Sequence, residues 1–268
     1  MVKLAANLSM MFNEVDFMDR FDAAAGAGFK GVEYLFPYDY DKDQLAELLA
    51  AHGLTQALHN LPAGDWGAGD RGLGCLADRV GEFQDGAGRA VEYATALGCK
   101  RLNALAGIAP EGADEDELRD TLVTNLRFAA GECAKAGITL VTEPINTRDI
   151  PGFYLCRTGQ ALKLIDAVGA PNLMLQYDIY HMQIMEGDLA PTIEANKARI
   201  GHMQLADTPG RHEPGSGEIN FGFLLDHIDA IGYDGWIGCE YKPATTTTEG
   251  LAWTKPYLFN QTTENTAP

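Results

Sequence analysis

Residues 138–178 read ITLVTEPINTRDIPGFYLCRTGQALKLIDAVGAPNLMLQYD. The fold follows from how this stretch divides. Ile138–Pro144 is an apolar run of strand length ending on a carboxylate, Glu143. Thr158 reads as the cap of a helix reaching Val168, stopped by Gly169 and Pro171. Leu173–Ile179 is again apolar and again meets an acid, Asp178. A strand, a crossover helix and a second strand make a unit whose strands are parallel. Near-continuous apolar strands belong in sheets covered on both faces.

The same alternation continues in both directions. Upstream, the expected strands are Lys3–Leu8, Gly31–Phe36, Thr55–Asn60 and Lys100–Ala106. The helices between them fall at Asp16–Ala27, Asp43–Ala51, Asp78–Leu97 and from the acidic run Asp114–Glu117 to Lys135. Downstream come a helix near Leu189–Ala198, a strand Ile200–Ala206, a helix Ile219–Ile231, a strand Gly235–Tyr241 and a last helix Glu249–Leu258. Eight strand–helix units predict an α/β chain closed into a single (β/α)₈ TIM barrel. The length of 268 residues suits it, since such barrels take ~250. The barrel is expected over 1–258, with a polar tail at 259–268.

Composition narrows the function. With 38 acidic and 20 basic residues the net charge is −18, which repels phosphate backbones and anionic membranes and speaks against a nucleic-acid partner. No run approaches the ~18 apolar residues of a membrane span. The start, MVKLAAN, lacks the longer apolar run of a secretion signal. The five cysteines contain no C-x-x-C pair, so reduced thiols and a cytoplasmic location are expected.

In a (β/α)₈ barrel the active site lies at the C-terminal ends of the strands. Strands five to eight end in Glu143, Asp178, Gln204 and Glu240. Three carboxylates converging over the mouth would resist ionisation, and a divalent cation would relieve that. The predicted metal ligands are therefore Glu143, Asp178, Gln204 and Glu240, an oxygen-rich set suited to Mg²⁺ or Mn²⁺. His181, three residues past Asp178, and His59, at the end of the third strand, are candidates to bind substrate. His202 sits inside the seventh strand, where a satisfied core histidine is the commoner case. Arg211 and Lys242, just beyond the seventh and eighth strands, are natural partners for an anionic substrate group. The loop Gly64–Asp70 lacks the Lys-Ser/Thr of a phosphate loop and reads as a lid, with Trp66 able to shorten the pocket.

These motifs resemble the hydroxypyruvate isomerase family, within the xylose isomerase-like barrels. The resemblance runs through ANLSM (6–10), FPYDY (36–40), HNLPAGDW (59–66), EPIN (143–146), QYDIYHMQ (176–183), EPGSGEIN (213–220) and GCEYKP (238–243). It implies interconversion of hydroxypyruvate and 2-hydroxy-3-oxopropanoate (tartronate semialdehyde) through a cis-enediol, as part of glyoxylate and carbohydrate metabolism. It also implies that Glu143 and Glu240 are the acid/base pair. Related sugar epimerases bind metal at the equivalent strand ends with His where this chain has Gln204, a departure that bears on metal affinity. The nearest rival readings are a 2-oxo-tetronate isomerase and a ketose 3-epimerase. An endonuclease would call for a histidine-rich metal cluster and a basic groove, against six histidines and a charge of −18. A non-catalytic sugar-binding protein would show no proton exchange from substrate to solvent. The possible partners are a small sugar-acid substrate and a second copy of the chain.

Overall fold

The structure is a computed structural model that describes residues 1–258. The expected polar tail, 259–268, lies outside the described residues. Eight strands close into one parallel barrel in chain order: β1 (Lys3–Asn7), β2 (Gly31–Glu33), β3 (Thr55–Asn60), β4 (Arg101–Asn103), β5 (Thr139–Thr142), β6 (Leu173–Asp178), β7 (Ile200–Leu205) and β8 (Trp236–Cys239). Closure is made by β1 against β8, in register from Lys3↔Trp236 to Ala6↔Cys239.

The outer ring is α1 (Arg20–Gly26), α2 (Lys42–His52), α3 (Val80–Ala96), α4 (Glu115–Lys135), α5 (Thr158–Val168), α6 (Ile179–Met185), α7 (Leu189–Asn196), α8 (Phe221–Ala230), α9 (Thr247–Gly250) and α10 (Lys255–Leu258). Each long helix buries one stripe. In α4 the stripe is Leu118, Leu122, Leu126, Ala129 and Cys133, spaced three or four apart as a 3.6-residue repeat requires. Asp41 and Asp114 start α2 and α4 by accepting two backbone N–H groups each. Gly53 and Gly169 end α2 and α5 at φ of 62° and 70°, a conformation that costs a side-chain-bearing residue energy.

Four local expectations need correction. Thr158 is the first residue of α5, not its cap; the cap position is Arg157. The Thr158 amide is satisfied from elsewhere, donating to Glu186 Oε1 at 2.9 Å. The strands expected at Gly31–Phe36 and Lys100–Ala106 pair over only three residues each, because the barrel wall ends there and the loops begin. The expected last helix is broken into α9, a 3₁₀ turn at Leu251–Thr254, and α10. Finally, α6 was not expected. It starts without a connection because Asp178 is both the last residue of β6 and the cap of α6, accepting the Tyr180 N–H at 2.8 Å.

Candidate active site

Glu143, Asp178, His181 and Glu240 meet at the mouth, all buried, each offering one ligand atom within 4.8 Å of the others. Glu143 follows β5, Asp178 ends β6, and Glu240 follows β8. The first turn of α6 brings His181 back over Asp178, with His181 Nε2 3.4 Å from Asp178 Oδ2 and 3.8 Å from Glu143 Oε1. The strand ends set the radius of this ring, and the α6 turn drops an imidazole into it.

Burial raises the pKa of Glu143, and the neighbouring Glu240 and Asp178 charges push it further up. Burial also raises Asp178 and Glu240, with Arg211 working against it in both. Arg211 is the counter-charge of the site. Its guanidinium donates to Glu240 Oε2, approaches Asp178 Oδ2 at 3.8 Å, and lies 4.9 Å above the Tyr180 ring. Burial opposes its own charge, yet Glu240, Asp178 and Glu143 outweigh that and hold its pKa above the ordinary value.

One guanidinium does not balance three carboxylates. Glu143 Oε1 and Asp178 Oδ2 are buried without a hydrogen-bond partner. Two orphaned carboxylate oxygens beside a third carboxylate form a donor set that fits a hard divalent cation. The residues able to hold it are Glu143, Asp178 and Glu240.

The state of His181 is fixed from behind. Asn146 Oδ1 accepts the Asp149 N–H at 2.7 Å, so the Asn146 amide must turn its NH₂ toward His181 Nδ1, 2.6 Å away. Nδ1 is thereby the acceptor, and Nε2 carries the proton that faces the carboxylates. Burial holds the ring neutral, with its pKa well below the usual range. In this tautomer His181 is a hydrogen-bond donor to whatever occupies the site, not a metal ligand.

Gln204 is also at the site, but both its polar atoms are engaged. Its amide donates to Glu33 Oε1 and its oxygen accepts from Gln176 Nε2, each at 2.7 Å. Glu33, Gln176, Asn7, Asn60 and Asn103 belong to this buried polar set, and sequence reasoning passed over them. Asn103 Nδ2 donates to Glu143 Oε2 at 3.1 Å and to Asn60 Oδ1 at 3.2 Å. The missed signal was the strand-end rule itself: Asn7, Glu33, Asn60 and Asn103 are the last residues of β1 to β4.

His59 is turned away from the mouth. Successive strand residues face opposite sides, and it is Asn60 that reaches Asn103. The His59 ring packs outward against Tyr34 and Tyr38, at 6.5 and 6.1 Å, beside the α3 backbone. It is fully buried, neither nitrogen has a well-formed hydrogen bond, and burial pushes its pKa down to about 3. A substrate contact by His59 is therefore replaced by a packing role. His59→Phe should leave kcat and KM within ~3-fold and stability unchanged or higher, because unsatisfied buried polar atoms are removed. A KM raised more than ~10-fold would return His59 to the pocket.

The two remaining candidates lie at the rim. Lys242 is exposed and lines a cleft of about 510 Å³ with Ser9, Met10, Asn13 and Leu35, beside the ends of β1, β2 and β8. Trp66 is 39% exposed, tilted against Phe36 at 5.3 Å and covered by the Arg71 guanidinium at 4.2 Å. Its loop is braced internally, with Asp70 Oδ2 accepting from the Asp65 amide and from Arg79, both at 2.7 Å.

A family model described as a xylose isomerase-like TIM barrel matches residues 21–257. Hydroxypyruvate isomerase of Escherichia coli (strain K12) is 54% identical over 257 residues, covering 96% of this chain and all of that protein. 2-Oxo-tetronate isomerase of Cupriavidus necator is 50% identical over 258 residues, 96% of this chain and 99% of that one. A crystal structure titled AP endonuclease, family 2, from Brucella melitensis superposes with a TM-score of 0.94 at 48% identity, covering 96% of this chain and 100% of that chain. An L-ribulose 3-epimerase shares the fold, with a TM-score of 0.74 at 23% identity over 96% of this chain and 86% of that one. With a family model over most of its length and relatives at this identity over nearly all of it, the chain belongs to the hydroxypyruvate isomerase family of xylose isomerase-like TIM barrels.

Proposed function

We propose that this isomerase interconverts hydroxypyruvate and 2-hydroxy-3-oxopropanoate in the cytoplasm, with Glu143 and Glu240 as the two proton carriers. The observation that carries the reading is the pairing of two buried carboxylates with raised pKa values beside a guanidinium and a neutral imidazole N–H. Moving the carbonyl from C2 to C3 removes one hydrogen from C3 and one from its hydroxyl, and returns one to C2 and one to the C2 oxygen. One carboxylate takes the C3 proton, the other delivers a proton to C2 of the enediol, and the hydroxyl proton passes from the C3 oxygen to the C2 oxygen. Arg211 and His181 Nε2–H donate to the oxygens on which negative charge develops. Raised pKa values suit both tasks, since each carboxyl must accept a proton and release it near neutral pH. A bound Mg²⁺ or Mn²⁺ held by Glu143, Asp178 and Glu240 would stabilise that same charge as a Lewis acid. The substrate carboxylate is assigned to Lys242, whose ammonium makes no ion pair among the described residues, while Arg211 is already committed to Glu240.

The identities favour this reaction over epimerisation, since the relatives at 54% and 50% carry isomerase names and the epimerase likeness is one of fold. The endonuclease title belongs to the Brucella protein; here one histidine among three carboxylates and a charge of −18 support an acid–base site instead. All five cysteines are free, as a reducing compartment requires. No helix among the described residues is long and apolar enough to cross a membrane.

Chain length of the substrate is tested by comparing kcat/KM for hydroxypyruvate and 2-oxo-tetronate in one enzyme. The expected preference is for the three-carbon acid, with Trp66→Ala narrowing the gap. Preference for the four-carbon acid would overturn the named substrate. An unchanged ratio in Trp66→Ala would confine Trp66 to bracing its loop against Phe36 and Arg71.

A further inference from the structure

Glu33 ends β2 and is wholly buried. A buried carboxylate is costly unless each oxygen is hydrogen-bonded, and here both are. Oε1 accepts from Asn7 Nδ2 at 3.0 Å and Gln204 Nε2 at 2.7 Å, and Oε2 accepts from His202 Nε2 at 2.7 Å. Room for the group exists because residue 238 is glycine: a Cβ there would lie 2.2 Å from Glu33 Oε1.

The partners of Glu33 are partners of the site. Asn7 and Gln204 both present their NH₂ groups to it. The Asn7 orientation is locked a second time by the Ser9 N–H, which donates to Asn7 Oδ1 at 3.0 Å. With its amide so held, Asn7 Nδ2 also reaches Glu240 Oε1 at 3.4 Å. With Gln204 so held, its oxygen accepts from Gln176 Nε2, and the Gln176 amide lies beside Glu143. One hydrogen-bonded relay therefore leaves this carboxylate through Asn7 to Glu240, and a second path runs through Gln204 to Gln176, whose amide lies beside Glu143.

We infer that Glu33 is a positioning residue for both proton-carrying carboxylates, setting their orientation through Asn7 on one side and Gln204–Gln176 on the other. This rests on the reading of Glu143 and Glu240 as the proton carriers. It also gives Gln204 a task independent of metal binding: it passes orientation from Glu33 toward Glu143.

The replacement Glu33→Ala removes both acceptor oxygens, so Asn7 and Gln204 lose the partner that orients them and both paths are cut at their source. Its kcat on hydroxypyruvate should fall about tenfold or more, the scale seen when a partner that orients an active-site group is lost, with KM within ~3-fold. Gly238→Ala, which alters no polar group, should give the same pattern by displacing the carboxylate. In a chain already carrying Asn7→Ala and Gln176→Ala, both relays are cut, and adding Glu33→Ala should lower kcat by less than about twofold. A purely structural Glu33 would instead lower the melting temperature and leave kcat at the wild-type value, which would overturn the inference. So would a full, independent loss of kcat in the relay-cut background. Should Glu33→Ala fail to fold, Asn7→Ala and Gln176→Ala decide the matter, since each leaves the Glu33–His202 pair intact; wild-type kcat in both would overturn it. Near-normal turnover in Glu143→Gln and Glu240→Gln would remove the carboxylate reading itself. Inactive Glu143 and Glu240 variants beside fully active Glu33, Asn7 and Gln176 variants would remove only the relays.

Discussion

Glu143→Gln and Glu240→Gln are each expected to lower kcat by ~10²-fold or more, the usual scale for losing a general acid or base. The two should differ in KM. Glu143 Oε2 accepts from Asn103, a contact an amide oxygen can keep, so Glu143→Gln should leave KM near wild type. Glu240 Oε2 accepts from Arg211, and Glu240→Gln removes the negative charge that pairs with the guanidinium, so this variant should shift KM. Steady-state kinetics with each variant separate these effects. If each carboxylate serves one carbon, one variant should still exchange substrate hydrogen with D₂O while forming no isomer. Near-normal turnover in both variants would contradict the assignment.

Asp178→Ala is expected to do two things, because Asp178 has two structural roles. As a member of the carboxylate cluster it should lose the bound ion, which metal analysis of the purified wild type should show at roughly one per chain. Activity should fall on the order of 10²-fold, the scale for losing a group that stabilises developing charge. As the cap of α6, its loss should also cost ~1 kcal/mol of stability, loosening the turn that presents His181. Asp178→Asn separates the roles: an amide oxygen still caps α6, so stability should hold while the ion is lost. Full activity of a verified metal-free wild type would remove the ion from the reaction and leave the carboxylate pair standing.

Much of the fold and part of the site are legible in the sequence. The βαβ reading of 138–178 extended to eight units because short apolar runs alternate with segments of helical period, and the crossover helix carries its own stop at Gly169. Glu143, Asp178 and Glu240 were conspicuous because a carboxylate ending an apolar strand has few structural excuses. The matching residues of the first four strands were not conspicuous: Asn7, Asn60 and Asn103 are amides that fit a loop start equally well, and β2 is too short for Glu33 to stand out as its end. His59 was misplaced by one residue of strand phase, which exchanges the barrel interior for the helix layer. The α6 helix was hidden because its cap is itself a strand residue, leaving no turn signal between the two elements. The environment of Gln204, tied to Glu33 across 171 positions of sequence, is long-range by nature and has no local signature.

The most direct test of the account is an NMR time course of hydroxypyruvate with the purified enzyme in D₂O. The expected product is 2-hydroxy-3-oxopropanoate, formed at a rate that collapses in both Glu143→Gln and Glu240→Gln. Absence of that product with folded wild-type protein supplied with Mg²⁺ or Mn²⁺, or its formation at an undiminished rate by both variants, would contradict it.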